Sequence, residues 1–253
     1  MESYPYDAHL HDNIMGCISE EFTPLGYEAT EVNATFLKIG VGMLIKTTDK
    51  KYSFAERYPI QNAGKWTIKT AKSQVIFTHE LTDEAGYGYL YTKTVKLTKG
   101  KPEMILAHRL KNTGRKMIET SVYNHNFFMI DNEPTGPNIK TRFPFEVTAE
   151  GKNWGTIAQT NKNAIHYTRT LAPGEFVYSD GLKGFGNTPK DYDIFIQNLK
   201  TGAGVRITCD KPLNKLVYWA CPTTACPEPY TKVSAQPNEE VTWEIKYTFV
   251  VDR

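Results

Sequence analysis

Thr120-Ser121-Val122-Tyr123-Asn124-His125-Asn126-Phe127-Phe128-Met129-Ile130 is the stretch on which the fold turns. Through its middle, aromatic and polar side chains alternate, the period of two that a pleated strand produces and a helix does not. Read as a strand, it puts His125 on the face that carries Tyr123 and Phe127, with Asn124 and Asn126 opposite. The same alternation, rich in aromatic, Val, Ile and Thr residues, recurs in Ser73 to Leu81, Tyr87 to Leu97, Met104 to Lys111, Asp193 to Leu199, Gly204 to Cys209, Lys215 to Ala220 and Val241 to Val250. Turn signals separate the runs, among them Thr-Lys-Gly-Lys-Pro at 98–102, Asn-Thr-Gly at 112–114 and Gln-Pro-Asn-Glu at 236–239. Convincing helical periodicity is absent.

A chain of 253 residues hides roughly 70 to 75% of its extended surface on folding, enough for a core without disulfide or metal staples. Neither a linker nor a repeat interrupts it, so the strands imply an all-β fold in one domain spanning 1–253, a large antiparallel β-sandwich with a short or pared N-terminal edge over 1–50. An immunoglobulin-type sandwich of about 100 residues would use less than half of the chain. Lys plus Arg number 30 against 28 for Asp plus Glu, and that balance gives no long-range attraction to nucleic acid or to an anionic membrane. No apolar run approaches the roughly 18 residues of a membrane span. The opening Met1-Glu-Ser-Tyr-Pro-Tyr-Asp lacks the basic end and apolar stretch of a signal peptide. The cytoplasm is the default expectation, or the periplasm if the chain has been trimmed. Of the four cysteines, Cys221 and Cys226 have a spacing that suits either free thiols or a local bridge.

His125 is the first candidate for chemistry, because few other groups change charge near neutrality. Between aromatics it is either a satisfied core histidine or part of a platform on which a pyranose ring stacks. Glu228 sits in Cys226-Pro227-Glu228-Pro229-Tyr230, where flanking prolines hold a carboxylate rigidly, as a base or a plain surface turn would have it. Asp193 opens an apolar strand, as an end cap or a hydroxyl acceptor. Arg57, in Glu56-Arg57-Tyr58, carries a donor fork for vicinal hydroxyls or a carboxylate, or forms a surface ion pair. His9 and His11, with Glu20 and Glu21 following, are weak metal candidates, since spacing supplies no fixed third ligand. His108 shares a face with Met104, Leu106 and Leu110 and reads as a core histidine. Phosphate-loop, dinucleotide, Gly-x-Ser-x-Gly and His-Glu-x-x-His signatures are missing.

Taken in order, several pieces resemble the galactose mutarotase-like superfamily, the aldose 1-epimerases and their relatives. The pieces are Gly86-Tyr-Gly-Tyr, Leu110-Lys-Asn-Thr-Gly114, Asn124-His125-Asn126-Phe127-Phe128, Tyr192-Asp193, Thr208-Cys209-Asp210-Lys211-Pro212, Pro227-Glu228-Pro229 and Gln236-Pro237-Asn238-Glu239. The resemblance begins near Lys51. It implies the oversized supersandwich of that superfamily, with His125 as catalytic acid, Glu228 as general base and Asp193 as hydroxyl-binding carboxylate. The chain departs from the pattern near Phe54-Ala55-Glu56-Arg57, where the upstream histidine is missing, and at Ile194, which stands where a histidine usually follows the Tyr-Asp pair.

The function implied is a sugar-handling enzyme of the aldose 1-epimerase (mutarotase) type, which interconverts anomers by acid/base ring opening in a cleft on the concave face of the large sheet. Arg57, Tyr123 and Trp219 are its further substrate contacts. A mono- or oligosaccharide is the expected partner; no cofactor, nucleic acid or membrane is called for. The alternatives are a non-catalytic carbohydrate-binding or structural module, and a lyase or hydrolase acting on a modified sugar.

Overall fold

The alternating runs become strands in the computed structural model, which describes residues 17–54 and 56–251. Among these residues there are eighteen strands, one short 3-10 turn at Pro189–Asp191 and no α-helix. Five strands form one sheet, in the order β1 (Cys17–Phe22), β9 (Ile118–Phe127), β17 (Thr224–Ala235), β16 (Lys215–Cys221) and β13 (Val177–Ser179). Ten form the larger sheet, in the order β11 (Ala158–Asn161), β12 (Ala164–Tyr167), β10 (Ile139–Arg142), β14 (Asp193–Asn198), β15 (Ala203–Cys209), β18 (Glu240–Val251), β8 (Glu103–Asn112), β7 (Gly88–Leu97), β6 (Gln74–Thr82) and β5 (Lys65–Ala71). A small third sheet holds β2 (Thr35–Lys38), β3 (Gly42–Ile45) and β4 (Ile60–Asn62). Each strand ladder is antiparallel. The large antiparallel β-sandwich read from the sequence is therefore the fold observed.

Alternation decides which side chains enter the core. On β9, Val122, Asn124 and Asn126 point inward, and β18 answers from the large sheet with Trp243, Ile245 and Tyr247. Burying two asparagine side chains costs free energy unless they are bonded. Tyr247 helps satisfy both: its hydroxyl accepts from Asn124 Nδ2 at 3.0 Å and donates to Asn126 Oδ1 at 2.8 Å. Tyr218 of β16 likewise reaches Tyr167 at 2.8 Å and Thr141 at 3.1 Å on the large sheet. These bonds tie the sheets together and fix which face of β9 is left outside.

Two motif pieces meet where Gly114 packs on the Gly86–Gly88 segment; a Cβ on Gly114 would lie 2.5 Å from the Gly88 nitrogen. One expectation is corrected. The Pro-Glu-Pro segment is not a surface turn but the middle of β17, paired with β16 from Lys215↔Tyr230 to Cys221↔Thr224. A proline cannot donate to a ladder and so is rare inside a sheet. Here the ladder from β17 to β9 runs only over Tyr230 to Ala235, and Asn126 Nδ2 donates to the Pro227 carbonyl at 2.8 Å where it has lapsed. Side chains take over from backbone at that break. Cys209, Cys221 and Cys226 are buried and joined in no disulfide, and no helix among the described residues is long and apolar enough to cross a membrane.

Candidate functional site

The outer face of the five-stranded sheet carries a cleft of about 590 Å³. It does not lie on the large sheet, as expected, because β9 and β17, which bring His125 and Glu228, both belong to the smaller one. Register arranges the floor in rows. One row is Glu21, Tyr123, Tyr230 and Lys215; the next holds His125, Glu228 and Val217; the third holds Phe127, Trp219 and Tyr178. Tyr123 and Tyr230 stack with ring centroids 4.0 Å apart.

At the centre, His125 Nδ1 lies 2.6 Å from Glu228 Oε1, while its Nε2 lies 3.3 Å from Glu21 Oε2. Both ring nitrogens face carboxylates, so each donates an N–H and the ring is an imidazolium between two anions. Burial alone would lower its pKa, but the hydrogen bonds and charges of Glu21 and Glu228 outweigh that and raise it to about 9. Glu21 is itself held. Lys38 Nζ bonds Oε1 at 2.6 Å, and the Tyr123 hydroxyl donates to Oε2 at 3.0 Å. Burial pushes the Glu21 carboxyl up, yet the bonds from His125, Lys38 and Tyr123 prevail and hold it at about 2. Lys38 also reaches the Tyr52 hydroxyl at 2.6 Å.

Tyr52 connects the site to a second wall. The segment after β3 carries Tyr52 and Tyr58, whose rings stack at 5.6 Å and pack on Tyr27 and Phe36 in a small aromatic core of their own. That core props Tyr52, Ser53 and Phe54 against the cleft, with Phe54 74% exposed.

Of the residues singled out from the sequence, His125, Glu228, Tyr123 and Trp219 all line this cleft. Asp193 does not. Its Oδ1 accepts from Arg206 Nε at 2.7 Å and its Oδ2 accepts from Arg206 Nη2, a two-point pair on the large sheet. Arg57 is exposed and is not among the residues lining the cleft. His9 and His11 lie outside the described residues. His108 is buried, as read, with Nε2 at 2.7 Å from Glu20. Sequence reasoning does not group Glu21, Lys38 and Tyr52, because only the fold brings residues 21 to 52 to β9. The signal in the sequence was Glu20-Glu21 on a strand, which sends the two carboxylates to opposite faces.

The donor types that bind metals also meet here. His125 Nδ1, Cys226 Sγ and a Glu228 oxygen lie within 4.8 Å of one another, the one such group of three among the described residues. A proton shared between His125 and Glu228 fills the same gap. The two occupants exclude each other.

Compared with known proteins, the chain matches no family model and no curated protein. Solved structures do match. A galactose mutarotase-like protein from Clostridium acetobutylicum superposes with a TM-score of 0.58 at 15% identity, over 93% of this chain and 79% of that one. One from Lactobacillus casei gives 0.55 at 11%, over 92% and 85%. The GalM/aldose epimerase homologue from C. elegans gives 0.54 at 14%, over 91% and 82%. The fold is that of the galactose mutarotase-like proteins.

Proposed function

We propose that the cleft binds a sugar at its anomeric carbon and interconverts the anomers, as an aldose 1-epimerase does. The observation that carries this is the contact of His125 with Glu228 on the floor of an aromatic cleft. A cyclic hemiacetal, O5–C1–O1–H, offers an acceptor and a donor two bonds apart. It replaces a direct N–H···O contact by accepting from the imidazolium at O5 and donating from O1 to the carboxylate. The side chains must part to admit it.

With the sugar in place, Glu228 takes the proton from O1 as the O1–C1 bond becomes a carbonyl. The C1–O5 bond breaks and O5 takes the proton from His125. Rotation about C1–C2 presents the other face of the aldehyde. O5 then attacks C1 and returns its proton to His125, while the carbonyl oxygen recovers a proton from Glu228. No atom is gained or lost. Positioned proton transfer of this kind is worth about 10² to 10⁴-fold per group, ample for a reaction that proceeds unaided in water. Glu21 keeps His125 charged and turned, because its carboxylate faces the second ring nitrogen.

A second reading, a non-catalytic sugar-binding module, draws on one observation: neither Asp193 nor Arg57 lines the cleft to read hydroxyls. Polarimetry of freshly dissolved α-glucose and α-galactose separates the two. Acceleration that is lost in both His125→Ala and Glu228→Gln supports the epimerase. Sugar binding with unaltered relaxation supports the module.

A further inference from the structure

Adjacent rows of the cleft floor are two residues apart along the strands, so the Tyr123–Tyr230 row and the Phe127–Trp219–Tyr178 row are separated by about 13 Å, four residues of strand. A hexopyranose with its equatorial hydroxyls is roughly as broad as two residues of strand. One ring placed over His125 and Glu228 therefore leaves the third row bare. That row is a wet aromatic ledge: Tyr178 is 37% exposed, and Trp219, its cross-strand partner, is half-buried beside it. Polar partners connect it to the rest of the floor: the Tyr178 hydroxyl donates to Asp180 Oδ1 at 3.0 Å, and Lys215 Nζ, from the first row, donates to the same oxygen at 2.8 Å.

Charge around the cleft is balanced. Glu21, Asp180 and Glu228 are matched by Lys38, Lys215 and protonated His125, and each cation is already in contact with a carboxylate. A phosphate or uronate would have to break one of these pairs, whereas a neutral polyol does not.

We propose that Trp219 and Tyr178 form a second sugar subsite, so that the ligand is a neutral oligosaccharide held with its reducing-end ring over His125 and Glu228 and its next ring stacked on the ledge. This rests on the epimerase reading for the chemistry at the first ring, but the ledge can be tested without it. Anomeric exchange is measured by NMR for maltose, cellobiose and lactose against glucose and galactose, alongside binding of the same sugars by titration calorimetry. At least one disaccharide is expected to exceed the hexoses about tenfold in kcat/KM, and Tyr178→Ala is expected to cut that ratio at least fivefold. Tyr178 is exposed on an edge strand, and the wild-type ratio needs no variant at all. Disaccharide binding about tenfold tighter than hexose, weakened by Tyr178→Ala and without accelerated exchange, keeps the subsite and rejects the epimerase. Equal affinity for hexoses and disaccharides, tighter binding of sugar phosphates, or no sugar binding overturns the subsite.

Discussion

Glu20 and Glu21 are neighbours on β1, and each meets an imidazole, yet the two pairs stand in different worlds. Glu20 points into the sandwich. Its Oε2 lies 2.7 Å from His108 Nε2, its Oε1 accepts from the Tyr91 hydroxyl and Lys93, and the His108 ring stacks on Trp243 at 4.7 Å. The second nitrogen of His108 ends on a backbone carbonyl, 3.3 Å away at Trp243. Glu21 points out into the cleft, and the second nitrogen of its histidine ends on another carboxylate. A backbone carbonyl can only accept the ring's hydrogen bond; a carboxylate that lines a cleft, as Glu228 does, can also take a proton and return it. On the proposed function, what separates the outer pair from the structural tie behind it is what the far nitrogen faces and its place on the wall of a cleft.

Breaking the inner pair should have the largest effect on folding. Glu20→Ala strips His108, Tyr91 and Lys93 of a common partner inside the protein, and a loss of about 3 to 5 kcal/mol in unfolding free energy is expected from denaturant titration. Anomeric exchange by the fraction that remains folded should persist, since Glu20 does not line the cleft. A loss nearer that of a surface substitution would place Glu20 outside the core network.

Glu21→Gln should be milder for stability, about 1 to 2 kcal/mol, because the carboxylate is 18% exposed and its bonds are partly screened. Its signature is in the pH profile. Without Glu21, His125 loses one of the two anions that raise its pKa to about 9, so the alkaline limb of the exchange rate should move to lower pH. An unmoved limb would make Glu21 a bystander.

The stability of the wild type should itself depend on pH. His125 has a folded pKa of about 9 against 6.5 as its ordinary value. Its contribution is fully present below 6.5 and disappears as pH rises through about 9. Glu20 and Glu21 are lowered from 4.5 to about 2, so theirs is present above 4.5 and disappears as pH falls through about 2. Urea midpoints across this range should therefore decline at both ends, and His125→Gln should flatten the alkaline decline and also soften the acid one, since Glu21 loses a bond that holds its carboxyl at about 2.

Much of the fold was legible because alternation is a local signal. The run read as Tyr87 to Leu97 appears as Gly88–Leu97, and the Asn124-His125-Asn126 stretch divides its faces as the period of two requires. Short strands such as β2, β3 and β10, at four residues each, offer too few alternations to register. Glu228 reads as a rigid carboxylate, but nothing local tells a turn from a strand there, because the donor that satisfies the Pro227 carbonyl within the sheet is Asn126 Nδ2, about a hundred residues away. Asp193 looked free to bind hydroxyls until Arg206, on the adjacent strand, proved to hold it. Glu21 needed the whole sandwich to be seen: the contact that gives it meaning lies 104 residues along the chain.

The most direct measurement is the rate of anomeric exchange, by saturation-transfer NMR on a reducing sugar, for the wild type beside Glu228→Gln. Catalysed exchange by the wild type, reduced at least about 10²-fold in the variant while sugar still binds, is the expected result. Equal rates in the two proteins, at or above the uncatalysed rate, would contradict it and leave His125 and Glu228 as a structural pair like the one behind them.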